Sequence, residues 1–346
     1  MPENLGQDEF ELLARIAHRY YIDGRTQAEI AREFSLSRPK VQRLLERARF
    51  AGVVDIHIEA PPWLNLDLEA QLLEAFRLTE VIVAPRRDDP QSQREEVARS
   101  AARYLERRLQ DGSVIAVSHG RDTGEVHRFF RPRHRLDCTF VSAMGGSPRL
   151  DEPTNPNDIC RALAERAGGR AVSLYAPAYV ESAEMRDRLL EQDAVAGPLR
   201  LAAKADVALV GIGGTDDACT MVRSGCFSSE EIARLRLAGA VGDVLGNYVD
   251  AWGRRIASLG SGRLIGLSID DLRRIETVVA VVSEAEKPPA ILGVLRAGVL
   301  DVLVVDEGNA RAVLDLARRP DETSPADGAT RQAAERRWSA ESSTWS

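Results

Sequence analysis

Thr26 to Phe50 reads TQAEIAREFSLSRPKVQRLLERARF, and the N-terminal part of the chain is organised around it. Thr26 and Glu29 have the spacing of a capping box, in which a hydroxyl accepts from the N3 amide and a carboxylate accepts from the cap amide. Ala28, Ile30, Ala31 and Phe34 supply the apolar stripe of a short first helix. Ser35-Leu36-Ser37 interrupts it. Ser37 is placed to cap a second helix, and Pro39 falls in that helix's first turn, where a missing N–H costs nothing. Val41, Leu44, Leu45 and Ala48 share one side of the second helix, while Arg38, Lys40, Gln42, Arg43, Arg47 and Arg49 crowd the other. A short helix, a tight turn and a basic second helix predict a helix-turn-helix whose second helix lies in the DNA major groove. The candidate DNA contacts are Ser37, Arg38, Lys40, Gln42, Arg43 and Arg47. Gln42 and Arg43 are residue types that pair with adenine and guanine edges.

A basic helix face can also be ordinary solvated surface. The charge distribution favours the DNA reading: the 346-residue chain carries a formal net charge of −7, yet Leu36 to Phe50 alone carries +4. One nucleic-acid module on a larger acidic body fits that contrast. The flanks fit as well, with a preceding helix over Asp8 to Tyr21 and a following strand, Val53 to Ile58, expected to form a β-wing.

The length predicts two or three domains. Hydrophobic residues make up 44% and charged residues 29%, enough for a sizeable water-soluble core. The four cysteines, Cys138, Cys160, Cys219 and Cys226, form no CxxC pair, so they read as reduced core thiols rather than zinc ligands. The start MPENLGQDEF has neither the basic nor the apolar region of a signal peptide. No run of about 18 apolar residues reads as a membrane span. A cytoplasmic protein is expected, with no cofactor, no metal and no catalytic residue assigned.

Ala60-Pro61-Pro62 breaks the pattern and marks a boundary. Leu66, Leu68, Leu72, Leu73 and Phe76 then recur at helical spacing, as core packing or as a dimer seam. From Glu80 onward, short apolar runs alternate with helical patterns. The runs are Val81–Ala84, Ser113–Val117, Cys138–Ser142, Ala171–Tyr175, Val207–Gly211, Thr277–Val282 and Val302–Val305. Between them lie helices such as Glu95–Leu109, Asp158–Ala167, Ala194–Ala203 and Pro289–Arg296. The alternation predicts an α/β fold with a mainly parallel, Rossmann-like sheet covered on both faces. The expected domains are 1–59 for DNA binding, 60–317 for effector binding and oligomerisation, and a polar, disordered tail at 318–346.

Ligands of such sheets bind outside the carboxyl ends of the strands. The loops there are Ser118 to Gly124, Met144 to Ser147, Gly211 to Thr215, Ser283 to Lys287 and Asp306-Glu307. Glycine, small hydroxyls and charges recur in them, which suits a small polar ligand. His119, His127 and His134 read first as surface or packing residues, with His119 alone at a strand end.

LSRPKVQRLL, GRDTGEV, APAYVES, ALVGIGG, GAVGDVLGNYVDAWG and EKPPAILGVLRAGVLDVLVVDEGNA together resemble the SorC/DeoR-type sugar-responsive transcriptional regulators, over roughly residues 8 to 317. The resemblance implies a winged helix-turn-helix joined to a domain like the glucosamine-6-phosphate deaminase, ribose-5-phosphate isomerase and CoA-transferase fold. It implies operator DNA and a sugar, polyol or sugar-phosphate effector as partners, and a homotetramer or homodimer. It points to Gly120, Arg121, Asp122, Thr123, Gly145, Gly146, Gly211, Gly213, Asp243, Asp250, Lys287 and Asp306 as effector-binding residues. Two positions depart from the family's habit: Asp122 where threonine is frequent, and Ser283-Glu284 where a glycine pair is frequent. Both add negative charge and lean toward an unphosphorylated effector. The alternative reading is a sugar-phosphate isomerase or deaminase on the same fold, with Asp243, Asp250 or Glu284 as base; it gives the helix-turn-helix no task.

Overall fold

The computed structural model describes residues 6–55, 61, 64–147, 154–256, 262–285 and 287–319. It divides into two compact units, Met1–Pro61 and Pro62–Ser346.

The first unit is helical throughout its regular elements. Helix α1 (Gln7–Ala17) runs into a π-helical turn, His18–Ile22, and is followed by α2 (Gln27–Glu33) and α3 (Arg38–Phe50). The capping box forms: Thr26 Oγ1 accepts from the Glu29 amide at 3.3 Å, and Glu29 Oε2 accepts from the Thr26 amide at 2.9 Å. Ser37 takes the N-cap position of α3, but its hydroxyl makes no capping bond, contrary to expectation. Pro39, in the first turn, is pre-set to helical φ and needs no acceptor. Leu13, Ile16, Ile30, Val41, Leu44, Leu45 and Ala48 interlock as the core. Val53 and Val54 pack against it without forming the expected wing strand, because both amides bond back to the Ala48 carbonyl. Residues 56–58 of that expected wing lie outside the described residues.

The second unit opens with α4 (Leu66–Ala75), β1 (Glu80–Ala84), α5 (Pro90–Arg108), β2 (Val114–Val117), α6 (Arg121–Phe129), β3 (Thr139–Ser142) and α7 (Pro156–Ala167). It continues through β4 (Arg170–Val172), α8 (Ala183–Leu190), α9 (Asp193–Ala202), β5 (Val207–Gly211), α10 (Thr220–Arg223), α11 (Ser229–Leu237), β6 (Ala240–Val244) and β7 (Asn247–Asp250). It ends with α12 (Ile269–Leu272), β8 (Thr277–Val282), α13 (Pro288–Arg296), β9 (Val302–Asp306) and α14 (Glu307–Arg318). Arg318, read from composition as the start of the tail, is thus the last residue of a helix; residues 320–346 lie outside the described residues.

Seven strands form one parallel sheet in the order β1-β9-β8-β5-β2-β3-β4. Each of the seven apolar runs of the sequence contributes to a strand, but the fourth, expected at Ala171–Tyr175, forms only Arg170–Val172, an edge strand that starts with exposed Arg170. The central strands are apolar because helices cover both faces. In β8, Val278, Ala280 and Val282 enter one core while Val279 and Val281 enter the other. Leu68 and Leu72 of α4 are buried in the unit's own core, whereas Leu66 and Leu73 stay exposed. From β2 the chain proceeds to β3 and β4 on one side, and it crosses to β5 on the other. The strand order therefore reverses between β2 and β5, and that switch point is where an open α/β sheet leaves a crevice.

The β6–β7 hairpin is the element the periodicity did not reveal. Its turn, Leu245-Gly246, has positive φ at both residues (51° and 74°), a geometry that matches strand twist in two-residue hairpins. A bulge between Ala240 and Gly242 breaks the alternation that would have marked a strand.

Candidate functional site

A cleft opens at the switch point. Its walls come from the loop after β2 (His119 to Asp122), the loop after β5 (Gly211 to Gly214), the start of α10 (Cys219 to Met221), the hairpin (Asp243, Leu245) and Lys287. Three of the five strand-end loops singled out from sequence thus meet in one place. Gly120 takes a φ of 147°, and α6 starts there without a side-chain cap, so its first amides face outward from the helix end.

Asp243 is held from both sides. Its backbone pairs with Gly213 in an isolated bridge, and its Oδ2 accepts from the Gly246 amide at 2.8 Å. A Cβ at Gly213 would sit 1.9 Å from Asp243 Oδ1, so this approach requires glycine. Asp243 is 3% exposed, and its Oδ1 has no hydrogen-bond partner among the described residues. Burial pushes its carboxyl up to about 6, against the opposing effects of the Gly246 amide and Lys287. Beneath the hairpin turn, Tyr179, Phe227 and Tyr248 stack edge to face, and Tyr179 donates to the Gly246 carbonyl at 3.1 Å.

On the opposite wall Arg121, Asp122 and Lys287 line the cleft, and Arg94, Ser283 and Glu284 behind them complete a charge network. Asp122 Oδ1 accepts from the Ser283 hydroxyl at 2.6 Å, and Oδ2 accepts from the Ser283 amide at 3.1 Å. Glu284 Oε2 meets Lys287 Nζ at 2.8 Å. Glu284 Oε1 lies 2.5 Å from Arg121 and 3.5 Å from Arg94. The Arg121 contact is off the hydrogen-bonding line, so it acts through charge. Arg94 also stands 3.4 Å from Asp122, and Lys287 Nζ donates to the Ile212 carbonyl at 2.6 Å. Burial pushes the Asp122 carboxyl up; Lys287 opposes this and the Glu284 charge reinforces it. Burial pushes Glu284 up as well, but Lys287, Arg121 and Arg94 outweigh it and hold the carboxyl below its ordinary range.

A protein-family model described as "Putative sugar-binding domain" matches residues 61–315. The chain belongs to the SorC/DeoR-type sugar-binding transcriptional regulators. It is 30% identical over 307 residues to the erythritol catabolism regulatory protein EryD of Brucella abortus, covering 88% of this chain and 96% of that one. It is 33% identical over 317 residues to the transcriptional regulator LsrR of Klebsiella pneumoniae, covering 89% and 94%. The crystal structure of the full-length sorbitol operon regulator SorC from Klebsiella pneumoniae superposes with a TM-score of 0.69 at 27% identity, over 89% of this chain and 100% of that one. The mainly parallel α/β domain expected from sequence thus has its counterpart in a solved regulator, and an N-terminal helical unit precedes it, without the expected wing strand at Val53 and Val54.

Within this regulator, not every residue expected at the effector site lines the cleft. Gly120, Arg121, Asp122, Gly211, Gly213, Asp243 and Lys287 do. Thr123 is wholly buried behind it and donates to the Gly120 carbonyl at 3.1 Å. The Gly145 amide donates instead to the Ile265 carbonyl and Gly146 bonds to Ala176 and Ala178, and a Cβ at Gly145 would be 2.4 Å from the Pro177 backbone. Asp250 accepts from the Trp252 and Arg254 amides and from Arg254 Nε, which commits both its oxygens to a turn. Asp306 caps α14 through the Asn309 amide. Asn309 in turn donates to the Glu284 carbonyl at 3.0 Å, so Asp306 supports the cleft's charged loop from behind. Arg94 escaped the sequence reading altogether. Its signal was an arginine one turn before Val97 and Ala98 and two before Ala101, on the buried stripe of α5.

In the first unit, Ser37, Arg38, Lys40, Gln42 and Arg43 are all exposed on α3. Gln42 donates to Glu46 Oε1 at 3.1 Å, and Arg43 Nε donates to the Pro39 carbonyl at 3.4 Å. Arg47 differs: it is ion-paired with Glu9 of α1.

Proposed function

We propose that this regulator controls a carbohydrate or polyol catabolic operon from the cytoplasm, as a homodimer or homotetramer that releases or engages operator DNA when a small sugar or polyol fills the cleft. The observation that carries the effector reading is Asp243, which lines a crevice at the sheet's switch point and whose buried Oδ1 has no donor among the described residues. A hydroxyl-bearing ligand supplies the missing donor. The relatives' names, with erythritol in one and sorbitol in another, support the same class. Gly120, Arg121, Asp122, Gly211, Gly213, Asp243 and Lys287 are the proposed effector contacts.

On the DNA side, the exposed face of α3 presents Arg38, Lys40, Gln42 and Arg43. A two-fold operator needs two such helices at half-sites ~34–36 Å apart or a multiple of it, which is the reason for proposing an oligomer. The division at Pro61 and the family match from residue 61 support functional domains near 1–59 and 60–317. Effector and DNA are then linked by a coupling free energy, each altering the other's affinity by the same factor.

The test is a thermal-shift panel of erythritol, sorbitol and related polyols, followed by fluorescence anisotropy on the regulator's own upstream DNA. A ligand that binds only the folded state raises the melting temperature. The expected outcome is a polyol that both raises the melting temperature and changes DNA affinity. A polyol that raises the melt yet leaves DNA affinity untouched, or sugar-phosphate turnover in place of DNA binding, breaks the reading.

A further inference from the structure

The cations on the cleft wall and just behind it are ion-paired from within the chain. Arg94, Arg121 and Lys287 converge beside the uncapped start of α6, an arrangement that by itself favours an anion. All three reach Glu284, the nearest at 2.5 Å and the farthest at 3.5 Å. Arg94 also faces Asp122, so two carboxylates of the chain share three cations. Glu284 is fixed there from three directions: by Lys287 three residues on, by the Ser283–Asp122 bonds before it, and by Asn309 on its own carbonyl. Among the described residues, Arg94 Nε and Arg121 Nε make no hydrogen bond, but both guanidinium groups are ion-paired, and across the cleft Asp243 Oδ1 has no hydrogen-bond partner.

We propose that Glu284 is a built-in counter-anion that occupies the cation cluster, so that the cleft accepts an uncharged polyhydroxy ligand and rejects its phosphate ester. This rests on the reading of the cleft as the effector site. An entering phosphate must either displace Glu284 from Arg121 and Lys287 or sit beside two carboxylates, and like charges brought together in a partly buried site repel strongly. It also brings acceptors to Asp243, which is itself an acceptor. A polyol hydroxyl donates to Asp243 Oδ1 and leaves the Glu284 ion pairs intact. Glu284 is thus a specificity-determining residue that excludes one ligand class without needing to touch the other.

The experiment is calorimetric titration of the full-length protein with inorganic phosphate, for the wild type and for Glu284→Gln. Removing one negative charge from the cluster is expected to raise phosphate affinity at least about tenfold, a change of about 1.4 kcal/mol. Adding Lys287→Ala to Glu284→Gln is expected to abolish that gain. Equal phosphate affinity in the wild type and Glu284→Gln overturns the proposal, and so does absence of phosphate binding in both. If Glu284→Gln does not fold, Glu284→Asp keeps the charge but retracts it from Arg121. Its phosphate affinity should lie above that of the wild type, and equality there also overturns the proposal. The polyol melting panel reports separately on the effector reading. Polyols that shift the melt while the phosphate arm fails sink only the role of Glu284. A phosphate arm that succeeds while no polyol shifts the melt sinks the polyol effector instead.

Discussion

The exposed face of α3 and the cleft use the same cationic side chains in opposite ways. On α3, Arg38, Lys40 and Arg43 are exposed, and none has an ion pair among the described residues. At the cleft, Arg121 and Lys287 on the wall and Arg94 behind it come from three elements, and each meets a carboxylate. A cation left in water costs little and stays available to a polyanion, whose released counterions then drive association. A cation taken out of water must be matched, and here the match comes from the chain itself. Counting arginines and lysines near a candidate site therefore says little about its ligand; the state of their partners decides.

The largest expected effect tests the unmatched partner. Asp243 has a folded pKa of about 6 against an ordinary 3.8, so the folded chain binds the proton more tightly than the unfolded chain does. Stability is then greatest below the ordinary value and falls as pH rises through the folded one, by about 3 kcal/mol in all. Asp243→Asn should remove this dependence and, in urea melts above pH 7, be more stable than the wild type by up to that amount. It should also bind polyols less well, because an amide donor replaces a lone pair. A variant with the wild-type pH profile would mean that Asp243 is not buried as a charge. Gly213→Ala probes the same contact from the other side. The new Cβ collides with Asp243 Oδ1, and overpacking of this kind costs about 1–3 kcal/mol, readable in the same melts.

On α3 the comparison predicts a different signature. Arg43→Ala should cost about 1–3 kcal/mol in operator affinity and relax base preference if Arg43 pairs with guanine. If it only meets phosphate, all sequences should weaken alike and the salt slope should fall by about one. The cleft substitutions should leave that slope unchanged. Anisotropy titrations at several salt concentrations distinguish these outcomes, and an unchanged operator affinity removes α3 as the reading helix.

The central sheet strands were legible because strands covered on both faces must be apolar along their whole length, as β8 is, whereas the edge strand β4 was expected at 171–175 and forms at Arg170–Val172. The helix-turn-helix was legible because Thr26 and Glu29 announce a helix start at fixed spacing. The hairpin was not, since Gly242 and the bulge beside it erase the alternation. Among site residues, glycines misled most. Gly145 and Gly213 look alike in a strand-end loop, yet one admits the Pro177 backbone and the other the Asp243 carboxylate. Asp250 and Asp306 fall outside the cleft lining for a related reason: an aspartate that builds a turn or caps a helix has the same letter as one that faces a cleft. Glu284 was noticed as a departure and as a candidate base, but not as an ion-pair partner, because that role depends on Arg94, 190 positions earlier in the chain.

The smallest expected effect belongs to Arg47, which the sequence placed with the DNA contacts. Its partner Glu9 comes from α1, and the two side chains are 46% and 37% exposed. Such a pair in water is worth roughly 0–1 kcal/mol, since Coulomb attraction is screened and two long side chains must be ordered. Its position on the α1 side of α3 turns the guanidinium toward Glu9. Arg47→Ala should therefore weaken DNA binding less than Arg43→Ala does, and Glu9→Gln should strengthen it slightly by freeing Arg47. A double-mutant cycle on urea stability should return a coupling of about 0.2–1 kcal/mol between Glu9 and Arg47. If instead Arg47→Ala costs as much operator affinity as Arg43→Ala, the ion pair does not persist on DNA. Arg47 would then belong with the unpaired cations of α3 after all.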